Sequence, residues 1–385
     1  MDLIIEYIPL LSCLAFCLLI ELIYYWLLIA KPYYLQQKRK KETAPDISSP
    51  PVSVIISIQD GDPNLEETIK NLLEQDYLLF ELIVVKDNLD EDNNDILKRL
   101  SLNYPHLYHT YIPDETRNLS RKKLCLTLGV KAAKYDSLLF TELDSIPASN
   151  QWIKSMSSHF SDKHSIVLGF SALRSQKGLG GKYRFFDYLF VMIQMISMAI
   201  KGRPFGANGR NMGYAKTYFS QQKGYSRYRF LESGEDDLFI NEIADKKNLD
   251  VDVSPDGLVY TKWDDSADWK RWKHDKTFTR KYYKKADRFL WQFESFIKFV
   301  FLSLVIYTLI ATFNTLYIPI IALSMYLIRL FSQLFVFSKT ARSLNLRFPC
   351  LLFPLFDLIQ PFVNTYYYIY SIVKTKYNYT WRISK

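Results

Sequence analysis

Apolar residues are crowded at the two ends of the chain. Between residues 7 and 30 the only charged side chain is Glu21, and between residues 299 and 337 the only one is Arg329. At about 1.5 Å of rise per helical residue, runs of that length can cross a hydrocarbon core about 30 Å thick. The pattern predicts a transmembrane anchor over 1–31 and a helical hairpin over 299–337 that turns at Asn314-Thr315. A cleaved signal peptide fits the first run poorly, because no basic residue precedes it and its apolar part exceeds about 15 residues. Arg329 is expected to snorkel toward the cytoplasmic end. A third run, 348–373, is interrupted by Pro354, Asp357, Gln360 and Pro361, which predicts a re-entrant or interfacial helix rather than a full span. Residues 183–200 are apolar on most faces but contain Asp187 and Gln194, as expected of a core helix or a membrane-facing acceptor helix.

The middle of the chain has a different grammar. Residues 32–50 are basic and then rich in Pro and Ser, a linker pattern, and a folded domain is predicted over 51–290, followed by a C-terminal membrane region over 291–385 with a basic tail. Val52-Ser53-Val54-Ile55-Ile56-Ser57-Ile58 and Glu81-Leu82-Ile83-Val84-Val85 are short, β-branched and nearly uncharged, which predicts strands buried on both faces. Further strands are expected over 107–112 and 137–141, with helices after Pro63, up to about residue 100, and over 121–134. Alternating strands and helices predict an α/β fold: a mostly parallel central sheet with helices on both faces and a crevice at the strand C-termini.

Composition narrows the class. Mean hydropathy is −0.09 only because the polar domain averages out the apolar ends. Aromatic residues at 16% exclude a disordered chain, and four dispersed cysteines exclude a disulfide scaffold. The net charge of +9 does not gather on one compact domain, so a nucleic-acid partner is not expected. Lys31, Lys38, Arg39, Lys40 and Lys41 follow the first apolar run, whereas no Lys or Arg precedes it. By the positive-inside bias the N-terminus lies outside and the domain is cytoplasmic, in a multi-pass protein of the cell membrane.

The candidate chemistry sits at strand ends. Asp60 follows the first strand, Asp87 the second, and Glu142-Leu143-Asp144 the fourth. Two carboxylates at i, i+2 without a neighbouring base suit a hard divalent cation that carries phosphates. Downstream, Phe205-Gly206-Ala207-Asn208-Gly209-Arg210-Asn211-Met212 precedes Gly234-Glu235-Asp236-Asp237. Read alone, the first is a glycine-rich loop and the second an acidic first turn of a helix.

In this order, and together with Lys122-Lys123 before Leu126-Thr127-Leu128-Gly129-Val130-Lys131-Ala132-Ala133, these motifs resemble the family 2 glycosyltransferases of the GT-A type, especially membrane-anchored bacterial members. The resemblance implies a nucleotide-sugar donor, with Asp60 and Asp87 on the base and ribose and Lys123 beside the nucleotide. It implies Asp144, partnered by Glu142, on Mg²⁺ or Mn²⁺, and no organic cofactor. It implies a sugar and acceptor pocket drawn from Gly206, Asn208, Arg210, Asn211 and Glu235. Asp236 takes the place of the base that deprotonates the acceptor hydroxyl. The family's Gln-x-x-Arg-Trp motif is degenerate in the stretch Asp268 to Tyr283, where Arg280, or less favourably Arg271, is left to contact the diphosphate; Trp269 and Trp272 are expected at the membrane interface. Two departures stand out: Glu142 where the family has Asp, and Lys86 where it has the first Asp after strand two.

The resulting expectation is a membrane-bound inverting glycosyltransferase acting on a lipid or lipid-linked glycan at the cytoplasmic face, with envelope-glycan enzymes as partners. The alternatives are a subunit of a processive polysaccharide synthase and a catalytically inactive membrane scaffold.

Overall fold

The computed structural model describes residues 2–41, 50–58, 65–87, 91–113, 120–174, 176–229, 231–263, 265–315 and 317–374. Among these residues ten strands form, in chain order: β1 Val52–Ile58, β2 Phe80–Lys86, β3 Leu107–Tyr111, β4 Ser137–Glu142, β5 Ser145–Pro147, β6 Ile166–Gly169, β7 Ser171–Leu173, β8 Met212–Ala215, β9 Leu249–Asp252 and β10 Val259–Thr261. The first helices are α1 Asp2–Tyr24, α2 Lys31–Arg39, α3 Leu65–Leu73, α4 Glu91–Asn103, α5 Arg121–Ala132 and α6 Trp152–Ser157. They are followed by α7 Gly178–Ile200, α8 Lys216–Gln221, α9 Asp237–Ile243 and α10 Ser266–Thr279. The chain closes with α11 Lys285–Ala311, α12 Tyr317–Ser343 and α13 Phe353–Lys374.

Seven strands make one sheet in the order β3-β2-β1-β4-β8-β6-β9, and β5-β10-β7 make a second, smaller one. In the large sheet only β8 runs against its neighbours β4 and β6. The uncharged runs read as doubly buried strands are so because alternate residues feed two cores. Ile55, Ile83 and Val85 meet α5 residues Cys125, Leu126 and Val130, while Val54, Ile56, Leu82 and Val84 meet Ile69, Leu72 and Trp152 on the other face. Gly129 is what allows α5 to close on the sheet, since a Cβ there would lie 2.6 Å from Ile55 Cγ2.

The ends of the chain form a helical assembly. Helices α1, α11 and α12 pack on one another around Leu14, Cys17, Leu18, Ile297, Phe301 and Val305. Their outer faces leave large apolar side chains bare, among them Phe16 at 63%, Ile310 at 72% and Phe331 at 63% exposure. Among the described residues, four segments, Tyr7–Arg39, Gly178–Ile200, Lys285–Ala311 and Tyr317–Ser343, are long and apolar enough to cross a membrane. Of these, α7 is enclosed by the protein, with Phe185 to Ala199 buried throughout, so it is a core helix.

Two expectations for these segments change. Arg329 does not snorkel: it is fully buried, with Nε 2.6 Å from Glu21 Oε2 and Nη1 2.8 Å from Asp357 Oδ2. Lys298 extends the network to Asp357 at 2.7 Å and Glu294 at 3.2 Å. The polar residues that interrupt the run 348–373 therefore face inward to this network, and α13 is one continuous helix with Pro361 inside it. Removing one member of such a network leaves a buried charge uncompensated, at a cost of about 3–5 kcal/mol. Finally, residues 31–39 are helix rather than linker: α2 continues from α1 after a π-helical turn, Tyr25–Ile29, and is latched to β9 by Arg39, which donates to Val251 O at 2.6 Å and to Asp250 at 2.9 Å.

Asp250 also receives His159, whose Nδ1 lies 2.7 Å away, with Asp252 3.7 Å from its other ring nitrogen. Burial opposes protonation of His159, but the hydrogen bonds and charges of the two aspartates outweigh it and raise its pKa to about 9. A folded-state value above the ordinary His value means stabilisation that is complete below about pH 6.5 and lost as pH rises through about 9. His159→Gln is therefore expected to lower the melting temperature most at pH 6, by the equivalent of about 3 kcal/mol at most, and to differ little from the native chain at pH 10. Melting curves across that range check it; a deficit that does not change with pH removes the imidazolium from the account.

Candidate active site

The site assembles where β4 ends. β4 delivers Glu142 and the following turn delivers Asp144; the loop before β8 brings Asn208 to Asn211; the start of α9 brings Asp236 and Asp237. Gly209 threads between the two carboxylate groups: its N–H donates to Asp236 Oδ2 at 3.0 Å, and a Cβ there would meet Glu142 Oε1 at 3.1 Å. At Gly206 a Cβ would meet the Asp237 Cβ at 2.9 Å.

Five carboxylates converge on three cations. Lys122 lies 2.7 Å from Glu142 and 2.6 Å from Glu235. Arg210 lies 2.9 Å from Glu142 and 2.6 Å from Asp144, which it grips with a second nitrogen, Nε, at 2.9 Å. Lys276 lies 2.7 Å from Asp236 and 3.7 Å from Asp237. With all of these groups ionised the cluster retains two negative charges in excess. Trp263 donates its indole N–H to Asp144 at 3.1 Å, and its ring faces the Arg210 guanidinium at 5.6 Å.

Burial and charge set the protonation states. Burial pushes the Glu142 carboxyl up, but Arg210 and Lys122 outweigh it and hold it below the ordinary range. For Asp236 burial is again outweighed, by the ammonium groups of Lys276 and Lys122 and the Gly209 N–H, and its pKa is lowered. Asp237 goes the other way: burial, helped by the charge of Asp236 and opposed by Lys276, raises it to about 6. Its carboxylate turns inward, accepting from Thr279 Oγ1 at 2.5 Å and Tyr283 OH at 2.7 Å.

Other expected site residues have different surroundings. Lys123, expected beside the nucleotide, is fully buried and donates to the carbonyls of Tyr228, Leu231 and Ser233 at 2.9, 2.6 and 2.9 Å, pinning the segment that leads to Glu235. Lys122, its neighbour, is the one of this pair that enters the carboxylate cluster. Asn211 is buried and structural, donating to Phe170 O and Gly257 O at 2.8 Å each and accepting from the Trp152 indole. Asn208 donates to Tyr188 OH at 2.8 Å beneath Arg210. Asp87 is held by the Arg121 guanidinium at the start of α5, and Lys86 is buried with Nζ 3.2 Å from Asn94 Oδ1. Asp60 lies outside the described residues. Arg280 sits in the 3₁₀ turn Arg280–Tyr282 after α10, where burial pushes its pKa down to about 10. Trp269 and Trp272, expected at the membrane interface, are buried instead: Trp269 donates to Asp187 at 3.1 Å and Trp272 packs 4.8 Å from Tyr188.

Lys276 and Trp263 were not singled out by the sequence. The signal for Lys276 was the basic and aromatic stretch around it; Trp263 carried none. As to a metal, no group of three or more ligating side chains gathers among the described residues. Glu142 and Asp144 nevertheless fit a hard divalent cation that takes its remaining ligands from substrate phosphates, as Mg²⁺ commonly does. Arg210 now occupies those oxygens and competes for them.

Among solved structures the fold is similar to that of the mannosyltransferase PcManGT from Pyrobaculum calidifontis, in complex with GDP-Man and Mn²⁺. The TM-score is 0.53 at 16% identity, over 95% of this chain and 99% of that one. S. aureus TarS 1–349, alone and in complex with UDP-GlcNAc, matches at 15% identity over 86% of this chain and 93% of that one, with TM-scores of 0.42 and 0.41. The motifs resemble family 2, but the family model that fits the chain is a different one. Glycosyl transferase family 21 matches residues 14–384, nearly the whole length, and the chain belongs to that family of glycosyltransferases.

Proposed function

We propose that the protein moves a sugar from a nucleotide-sugar to a membrane-held lipid or lipid-linked glycan, with inversion, at the cytoplasmic face. The observation that carries this is the carboxylate cluster at the C-terminal end of β4, two charges in excess, on a domain tied through α2 and α13 to apolar helices with bare outer faces. In this reading Glu142 and Asp144 hold Mg²⁺ or Mn²⁺ on the donor diphosphate, Arg210 turns from Asp144 to the phosphates, and Arg280 adds a second cation. Asp87 serves the nucleotide's ribose and base. The metal supplies charge stabilisation for the departing diphosphate. The acceptor hydroxyl oxygen attacks the sugar's anomeric carbon, its bond to the diphosphate breaks, and the hydroxyl proton passes to Asp236. The solved mannosyltransferase with GDP-Man and Mn²⁺ supports a nucleotide-sugar and a divalent cation as the pair to test first.

Topologically, α1, α11 and α12 cross the membrane, the start of α1 lies outside, and α13 lies along the cytoplasmic surface. The test is a binding titration of detergent-purified protein with GDP, UDP and their sugars, with and without Mn²⁺. One nucleotide is expected to bind with metal dependence; no binding of any of them in either condition overturns the donor assignment.

A further inference from the structure

Two adjoining cavities of about 310 and 290 Å³ lie outside the carboxylate cluster and share Phe185 and Arg347. The first is walled by Lys182, Phe348 and Pro349, the second by Leu173, Arg174 and Tyr260 among others. Together they form a groove between the start of α7, the small sheet and the loop joining α12 to α13. Its floor is apolar: Phe185 and Leu173 are buried, and the Phe185 and Phe348 rings stack at 6.4 Å. Its rim is cationic. Arg174, Lys182 and Arg347 are all exposed, no acidic side chain lines either cavity, and none of the three has a carboxylate partner among the described residues.

The groove continues into a bare apolar face. Leu351 is 96% exposed immediately beyond Pro349, and Leu355, Leu358, Phe362, Tyr366 and Ile369 continue the stripe along α13 at helical spacing. Leu179 at the start of α7 is 55% exposed beside it. Cations around an apolar slot at the foot of a bare apolar helix match the two ends of a lipid, and guanidinium groups match phosphate oxygens in pairs.

We propose that this groove binds the phosphodiester headgroup of an anionic bilayer phospholipid, separately from the sugar donor and acceptor, and so seats the catalytic domain on the membrane. The proposal rests on the membrane reading above. Arg347 and Arg174 hold the phosphate, Lys182 adds charge, and the acyl chains run along α13. Basic pockets at the cytoplasmic ends of membrane helices take anionic headgroups in this manner, with roughly a five-fold gain in affinity per cation.

The test uses the full chain purified in detergent and titrated with short-chain phosphatidylglycerol, phosphatidylcholine, glycerol phosphate and inorganic phosphate. Phosphatidylglycerol is expected to bind most tightly. The triple variant Arg174→Gln, Lys182→Gln, Arg347→Gln is expected to weaken it by about a hundred-fold while leaving nucleotide binding intact. A control variant, Lys339→Gln with Arg342→Gln, removes two exposed cations of α12 that do not line the groove and is expected to bind phosphatidylglycerol like the native chain. Unchanged affinity in the triple variant, an equal loss in the control, or inorganic phosphate binding as tightly as the lipid each overturn the proposal. Reconstitution into phosphatidylcholine vesicles separates the two readings. A chain that enters them without preferring phosphatidylglycerol loses only the headgroup site, and one that does not enter them loses the membrane reading as well.

Discussion

Asp144→Asn is expected to reduce sugar transfer by roughly 10³-fold in kcat/KM, about 4 kcal/mol of transition-state stabilisation, because in the proposed mechanism it removes a charge that would hold the cation on the diphosphate. The change is nearly isosteric and leaves the Arg210 guanidinium with Glu142 at 2.9 Å, so the fold has little to lose. The Asp144 side chain is also about one quarter exposed, which limits what its pairing contributes to stability. Steady-state rates with saturating Mn²⁺, set beside melting curves, check this. A drop in rate without a drop in melting temperature places Asp144 in the chemistry, and a variant as active as the native protein removes it. The metal requirement itself should respond to Arg210. In Arg210→Gln the competing guanidinium is gone, and Mn²⁺ is expected to act at lower concentration even as the maximal rate falls.

The Arg210 grip on Glu142 and Asp144, on which that prediction turns, is an aspect of the site that no reading of the sequence supplied. The strands were legible because a run such as Ile55-Ile56 has one physical destination, a sheet covered on both faces, and β1, β2, β3 and β4 lie where the pattern put them. The acidic residues at the strand end were legible for the same reason: once β4 is placed, Glu142 and Asp144 must sit at its C-terminal edge. Which cation meets which carboxylate was not legible. Lys122 and Lys123 are neighbours in sequence but point about 100° apart on a helix, so one enters the cluster and the other the core, and only the docking angle of α5 decides which. Lys276 meets Asp236 from forty positions along the chain, and α10, being buried on several sides, has no amphipathic stripe to announce its inward face. Arg329 taught the same lesson in the helical assembly. Read alone in an apolar run it looked like a snorkelling cation, because its partners Glu21 and Asp357 lie on two other helices.

Asp236→Asn is expected to lower kcat by about 10²–10⁴-fold while leaving nucleotide-sugar affinity nearly unchanged, as fits the loss of a general base. Two neighbouring aspartates compete for that role, and their surroundings separate them. Asp237 has the proton affinity better suited to a base at neutral pH, but its carboxylate is turned inward to Thr279 and Tyr283 and is 1% exposed. Asp236 faces Gly209 and the cluster, though Lys276 at 2.7 Å holds its pKa down. Reach comes before proton affinity, so the proposed mechanism gives the base role to Asp236, with Lys276 setting its strength. The sign of the pH dependence follows. With its pKa lowered, native Asp236 stays ionised through the neutral and mildly acidic range and gives kcat/KM no acid limb there. In Lys276→Met the strongest opposing charge is removed, burial pushes the Asp236 pKa up against Lys122 and the Gly209 N–H alone, and an acid limb should emerge and move to higher pH. Asp237→Asn, by contrast, should cost stability through its bonds to Thr279 and Tyr283 more than it costs rate. A pH–rate series on the three variants separates these assignments. Full activity in Asp236→Asn, or a loss in Asp237→Asn as deep as that in Asp236→Asn at unchanged melting temperature, would transfer the base to Asp237 and require its carboxylate to turn outward when the donor binds.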